Sequence, residues 1–341
     1  MTISAVLLII SYLSVYINPA RAWFMTIFGL LFFPLLIVNF ILFVWAILRR
    51  SRAVIIPLVA IIPAFMISGK FFRLTTAGGE DNADGLKIVS YNVGRFALPQ
   101  GEKFSSRMEC ADSVMAFLRS EDADIICLQE FYMQNQERVL SYLARQMKGY
   151  DIKYYVNVNK YGSYGNVTLS RYPALSKGHI DFEHSSNLAL YSDYCIGGDT
   201  LRVYNCHFES YNISLSRLAT ALEKDYKKAV KDTEEKMRRS IVRRPRQVDQ
   251  VLDDIESCKE NVIVTGDFND TPMSYTYWRL SRRRKDSFEE AGSGSGATFS
   301  RLKPLLRIDY VLFPESYKAL SHKVINKRFS DHYPVEAVIA R

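Results

Sequence analysis

Apolar residues fall into three long runs at the start of the chain and a series of short ones afterwards. Residues 1–20 carry no charge, residues 22–48 are uncharged between Arg21 and Arg49, and residues 53–69 are uncharged between Arg52 and Lys70. A spanning helix needs about 20 apolar residues, and tryptophans favour the two membrane interfaces, where Trp23 and Trp45 would sit near the ends of the second run. Residues 1–73 are therefore expected to form a transmembrane segment of about three helices. Pro34 should kink the second, and the 17-residue third run is the weakest span. No basic stretch precedes the first run, which speaks against a cleaved signal peptide. The dense Arg49-Arg50-Ser51-Arg52 loop is expected on the cytoplasmic side, leaving the C-terminal part outside.

Residues 74–85 are polar and glycine-containing, a linker by composition. A soluble domain, 86–341, then opens on Leu86–Val93, a strand pattern ending at Asn92. Helices are expected over 104–120 and 134–147, and a buried strand over 123–128 that delivers Gln129 and Glu130. Short strands follow at 152–158, 166–170, 189–196 and 201–208. A charged helical stretch, 214–258, should break at Pro245. Val262–Thr265 is a short β-branched run, a buried strand that Gly266 should end. Asp267 and Asn269 follow, and alternation along an extended chain would point both the same way. Gly, Asp and Asn are also turn formers, so a surface turn would use the same residues. The last strands are expected at 306–313 and 334–339. Interleaved strands and helices imply an α/β fold with sheets inside and helices outside. No internal repeat is visible.

Charge changes the picture of possible partners. The net charge is +8, but residues 1–73 hold six of the 44 basic residues and none of the 36 acidic ones. That leaves 38 basic against 36 acidic residues beyond, so the excess flanks the apolar runs and does not make the domain a polyanion binder. Cys110, Cys127, Cys195, Cys206 and Cys258 are scattered, with neither zinc spacing nor a disulfide framework. Cys206 and His207 are neighbours on a strand and should face opposite ways, which disfavours a catalytic pair.

Polar groups close five strand-like runs: Asn92, Glu130, His207, Asp267 with Asn269, and Asp309. Ser330-Asp331-His332 precedes the last strand. Strand ends on one sheet edge converge in space, which is where sites are usually built. The series Ser90-Tyr-Asn-Val93, Cys127-Leu-Gln-Glu130, Asn205-Cys-His-Phe-Glu-Ser210, Gly266-Asp-Phe-Asn-Asp270, Arg307-Ile-Asp-Tyr310 and Ser330-Asp-His-Tyr-Pro334 resembles, in order, the motifs of the endonuclease/exonuclease/phosphatase (DNase I-like) superfamily.

The resemblance covers about residues 86–341, and the leader resembles that of membrane-tethered bacterial members. It implies a four-layer α/β sandwich, two packed mixed sheets flanked by helices, behind the transmembrane segment. It also implies Mg²⁺-dependent hydrolysis of a phosphodiester or phosphomonoester by an activated water, with Mn²⁺ as a substitute metal. Glu130 would be the main metal ligand, with Asn92 and Asp331 beside it. His332 would be the base, held by Asp309; Asp267 would orient the water or protonate the leaving oxygen. Asn269 and Asn92 would bind substrate, and His207 would stabilise phosphoryl charge or act as acid. A bacterial inner-membrane enzyme with an extracytoplasmic domain and no obligate protein partner is expected. Its substrate would be lipid-derived or a small phosphoester; the alternatives are nucleic acid, or a catalytically silent membrane-tethered binding module. His179, His184 and His322 stand outside every motif and are expected at the surface. Arg171, and the glycines at 292, 294 and 296, are weaker candidates for phosphate contact.

Overall fold

Side chains that alternate between two apolar environments build two six-stranded sheets. The computed structural model describes every residue except 75–84, 98–103, 160–161, 212–219, 221–222 and 303; most of the expected linker lies outside the described residues. In chain order the strands are β1 (Phe72–Arg73), β2 (Leu86–Asn92), β3 (Ile125–Met133), β4 (Asp151–Asn159), β5 (Gly162–Ser170), β6 (Ala174–Asp181), β7 (Leu188–Ile196), β8 (Asp199–His207), β9 (Asn261–Asp267), β10 (Arg284–Asp286), β11 (Gly294–Ser295), β12 (Asp309–Pro314), β13 (Lys318–Val324) and β14 (Val335–Ala340). One sheet runs β13-β14-β2-β3-β5-β4, the other β10-β12-β9-β8-β7-β6, and β1 pairs with β11 apart from both. Each large sheet has one parallel pair, β2 with β3 and β8 with β9, among antiparallel neighbours.

The chain separates into two compact units. The sheets belong to the unit formed by Lys70–Phe208, Val251–Phe268 and Leu280–Arg341. Ile88, Ile125, Cys127, Val203, Ile263, Val311 and Ala337 fill the layer between the sheets. Val89, Tyr91, Ile126 and Leu128, on the opposite face of β2 and β3, pack on two helices, Arg107–Glu121 and Glu137–Gln146. This is the expected α/β sandwich of two packed mixed sheets flanked by helices. Ser106 starts the first of those helices by accepting a hydrogen bond from the Glu109 amide, and Asp122 ends it in the left-handed region.

The other unit comprises Met1–Gly69, Glu209–Gln250 and Asn269–Arg279. Its first helices are Thr2–Leu13, Met25–Leu30, Phe32–Leu48 and Ile55–Ile67. The 27-residue apolar run is thus not one helix; it breaks at Leu31, whose ψ of 5° leaves the helical region. Pro34 falls in the first turn of Phe32–Leu48, where its missing N–H would have had no partner anyway, so it kinks nothing. The run expected to be weakest instead forms the longest apolar helix. With its 3₁₀ ends, Arg52–Lys70 is the one helix among the described residues long and apolar enough to cross a membrane. Buried Asn39 donates to the Ser4 and Leu35 carbonyls, and the Tyr12 hydroxyl donates to Ala60, tying these helices together through polar contacts. Segments from later in the sequence pack within the same unit: Trp278 lies edge-on to Tyr16, and the Arg238 guanidinium lies over Trp23. The helix Tyr226–Ser257 runs unbroken through Pro245, against expectation; its inner face carries buried Ile241, Arg244, Gln247, Val248 and Val251.

Candidate active site

Two of the site strands differ from the sequence expectation in a way that matters. The strand β9 does not stop at Gly266 but continues through it, pairing Gly266 with Cys206 and Asp267 with His207. Gly266 has φ +125°, and a Cβ there would stand 2.0 Å from the Cys206 carbonyl oxygen, so only glycine lets the two strands approach. Asn269 then turns left-handed at φ +52°, so the alternation expected to align it with Asp267 does not reach it. Glu130 lies within β3 at a β-bulge between Leu128 and Phe131, also left-handed at φ +52°, and not at a strand end. Bulges of this kind re-aim one side chain while the strand continues.

The β9–β12 register sets Asp267 opposite Asp309. Both carboxylates are buried, and the buried His332 ring lies between them. His332 Nδ1 lies 3.0 and 3.2 Å from the two Asp309 oxygens, and its Nε2 lies 3.8 Å from Asp267 Oδ2. Burial lowers the pKa of this imidazole, but the charges of Asp309 and Asp267 and the Asp309 hydrogen bond outweigh it. The group is pushed up to about 10. Asn92 Nδ2 donates to Asp267 Oδ2 at 2.8 Å, and its Oδ1 accepts from the Gly94 amide. His207 Nε2 lies 3.7 Å from Glu130 Oε1 and 3.8 Å from Asp267 Oδ2. It is buried with no hydrogen-bond partner among the described residues, and burial depresses its pKa. The second oxygen of Glu130 accepts from Arg95 Nε at 3.2 Å.

Six of the predicted site residues, Asn92, Glu130, His207, Asp267, Asp309 and His332, thus meet at one end of the sandwich. Asp331 stands beside them: one oxygen lies by Gly94 and the other is 3.3 Å from Arg301 Nε. Asn269 belongs to the other unit.

Some expectations are overturned. His322 is buried, with Nδ1 2.8 Å from the Ser287 hydroxyl, whereas His179 and His184 lie at the surface. Arg171 is spent on Asp122 and Tyr150. Gly294 is not in a free loop but in β11, paired with Arg73 of β1.

Sequence reasoning passed over the polar plug beneath the site. Gln129 Nε2 donates to Ser90 and Asn205, and Asn205 in turn donates to Leu128, Val167 and Thr168. A strand pattern with inward-facing amides was the available signal. Arg95 was also missed, because its place depends on a left-handed turn described below.

A divalent cation suits this donor set. Asp267, Asp309 and His332 offer ligand atoms within 4.8 Å of one another. A metal on all three would, however, displace the Asp309–His332 hydrogen bonds. Glu130 has one oxygen facing the unpartnered His207 nitrogen, and a hard cation held by one carboxylate and waters fits there without that loss.

A family model described as Endonuclease/Exonuclease/phosphatase family matches residues 89–332, and one described as a domain of unknown function matches residues 1–71. No curated protein matches the chain. Among solved structures, a family protein from Leptotrichia buccalis is similar at TM-score 0.54 and 17% identity over 75% of this chain and all of that one. An endonuclease/exonuclease/phosphatase from Bacteroides vulgatus is similar at 0.55 and 16%, over 75% and 98% of the two chains. A mannosyl-6-phosphatase from Bacteroides thetaiotaomicron is similar at 0.52 and 16%, over 75% and 100%. At such identities the likeness is one of fold, but the family match spans well over half of the chain and the ordered strand-end residues agree with it: the chain belongs to the endonuclease/exonuclease/phosphatase family, whose members are hydrolases of phosphoester bonds.

Proposed function

We propose that the chain is a membrane-anchored, Mg²⁺-dependent phosphoesterase, with Mn²⁺ as a substitute, that cleaves phosphodiester or phosphomonoester bonds with an activated water. The observation that carries this is the Asp309–His332–Asp267 series, with Asn92 on the far oxygen of Asp267 and Glu130 facing His207. When bound, the cation supplies positive charge that stabilises the developing phosphoryl charge. Asp309 holds the His332 Nδ1–H toward itself, which orients the ring and leaves Nε2 for the reacting region. The raised pKa keeps His332 protonated at neutral pH, so it serves the phosphoryl oxygens as a cationic donor and becomes a base only after losing that proton. Asp267, held by Asn92, is the group placed to orient a water, and neutral His207 donates to an oxygen at its open nitrogen. For Asn269, as a phosphate contact, and for Asp331, as a metal ligand, the assignment rests on the motifs alone.

Membrane anchoring is supported by apolar helix faces open to solvent: Ile3, Ile41, Phe65 and Met66 are among the exposed large side chains. The substrate is inferred to be a lipid-derived or small phosphoester, because nucleic-acid binding draws on basic surface and the part beyond residue 73 is nearly neutral. The test is turnover by the full chain in detergent micelles on plasmid DNA, phospholipid vesicles and soluble phosphoesters, with Mg²⁺ and with EDTA. Hydrolysis of lipid or soluble phosphoesters that EDTA abolishes is the expected result. Salt-sensitive plasmid nicking without it would make the protein a nuclease, and no hydrolysis of any substrate would favour a silent binding module.

A further inference from the structure

Beside the site, in the same unit, is a cavity of about 750 Å³ lined by Arg95, Arg107, Tyr132, Met133, Gln134 and Tyr164 among others. That volume is within the usual range for ligand pockets. Its arginines are held in a particular way. Gly94, Arg95 and Phe96 all have left-handed φ, 54°, 58° and 51°. Left-handed backbone is unfavourable for a non-glycine residue, and such strain persists at sites where the surroundings impose it. The turn is closed by the Phe96 amide on Val93 and the Ala97 amide on Gly94. It lays the Arg95 guanidinium 4.3 Å over the Tyr164 ring while Nε reaches Glu130. Across the lining, the Arg107 guanidinium lies 4.7 Å over the Tyr132 ring. Among the described residues, Arg107 has no hydrogen-bond partner and the terminal nitrogens of Arg95 have none. Two guanidinium forks, each backed by a tyrosine face, are thus left open toward one cavity.

We infer that this cavity receives a second phosphate group of the substrate, so that the preferred substrate is a phosphoester bearing a further phosphate on the part that stays behind or leaves. The inference rests on the phosphoesterase reading above and names its substrate class. A planar fork with parallel N–H donors matches phosphate oxygens in pairs, and stacking on an aromatic ring fixes its direction beforehand. An uncharged sugar or acyl chain would gain nothing from the two forks, whereas a phosphate can accept from both. Arg95 ties the cavity to the reaction centre, because the residue that faces the cavity also holds Glu130.

The experiment uses the full chain in detergent micelles and the pair glucose 1,6-bisphosphate and glucose 6-phosphate. Calorimetric titration in EDTA reads binding without turnover, on the native chain, on Arg107→Gln and on the surface control Arg138→Gln. The bisphosphate is expected to bind at least about tenfold more tightly than the monophosphate, and Arg107→Gln is expected to remove that margin while Arg138→Gln keeps it. Equal binding of the two sugars, or a margin that survives Arg107→Gln or is lost equally in Arg138→Gln, overturns the inference. Turnover of the same pair with Mg²⁺ separates the two levels of failure. Hydrolysis of both at equal KM defeats the pocket alone, whereas a binding margin with no hydrolysis of this pair or of any substrate in the panel above defeats the phosphoesterase assignment.

Discussion

Two histidines in the sandwich unit are buried to a similar degree, and the protein treats them in opposite ways. His332, beside Asp309 and Asp267, is pushed up to about 10; His322, beside Ser287, is driven down to about 4. Burial lowers both, since removing water penalises the charged ring. The difference is in what faces the ring. His332 meets two carboxylates, one bonded to Nδ1 and one 3.8 Å from Nε2. His322 meets a hydroxyl at Nδ1 and the edge of Phe288, and its Nε2 has no partner among the described residues. An acid, Asp286, is near, but it is paired at 2.7 Å with buried Arg307, whose charge offsets its pull. Enclosure alone therefore says nothing about whether a buried imidazole carries a proton; the sign of the neighbouring charge decides.

Removing the charge from His332's partner should produce the largest effect. Asp309→Asn keeps the shape but removes the charge that holds the His332 proton, and its amide N–H can face Nδ1 and turn the ring away. Turnover on whichever phosphoester the chain hydrolyses should fall at least about 10²-fold with secondary structure unchanged by circular dichroism. Asp267→Asn should do the same. Activity within a few-fold of the native chain in both variants would show that the His332 cluster is structural, as His322's is.

The second effect is on stability, and its sign differs between the two rings. For His322 the folded pKa lies below the unfolded value near 6.5, so the unfolded chain binds more protons between the two. Its contribution is present above pH 6.5 and is lost as pH falls toward 4, by about 3 kcal/mol. For His332 the folded pKa is raised, so its contribution is full below pH 6.5 and is lost as pH rises through about 10. Urea midpoints at pH 4, 7 and 10 should therefore fall on both sides. His322→Gln should flatten the acid side alone, and His332→Gln the alkaline side alone. A single His322→Gln variant that left the acid side as steep as before would break the contrast.

How much of this was legible depends on where the information lies. Asn92, His207 and Asp267 could be read because each closes a strand, and Asp309 and His332 because one opens β12 and the other precedes β14; such strand ends gather at one edge. Glu130 was identified, but the bulge that aims it was not, since no residue in Cys127-Leu-Gln-Glu130 announces a left-handed backbone. Arg95 was invisible for the same reason. His322 was misplaced because Ser321 and Lys323 make its surroundings look polar, while β13 buries Ser321 and His322 together. The edge strand β6 was missed because most of its residues face solvent and it has no apolar alternation. The polar face of the fold is written in individual residues; strain and edge pairing are decided by tertiary contacts.

Strain gives the smallest effect and the finest contrast between the two regions, because left-handed non-glycine residues gather by the site, at Arg95, Phe96 and Glu130, while β13 has none. In an ordinary strand glycine is less stable than alanine by about 0.5–1 kcal/mol, since it loses more backbone freedom. At Glu130 that order should reverse. Glu130→Ala and Glu130→Gly both delete the carboxylate and its contact with half-exposed Arg95, which is worth little. They differ only in the Cβ, which is disfavoured at φ +52°. Glu130→Gly should therefore be more stable than Glu130→Ala by about 1 kcal/mol in urea unfolding, while both lose turnover at least about 10²-fold. Ala319→Gly, in β13, supplies the ordinary order and should lower stability. If Glu130→Ala proves the more stable of the pair, the bulge is relaxed, and the aim of Glu130 owes nothing to stored backbone strain.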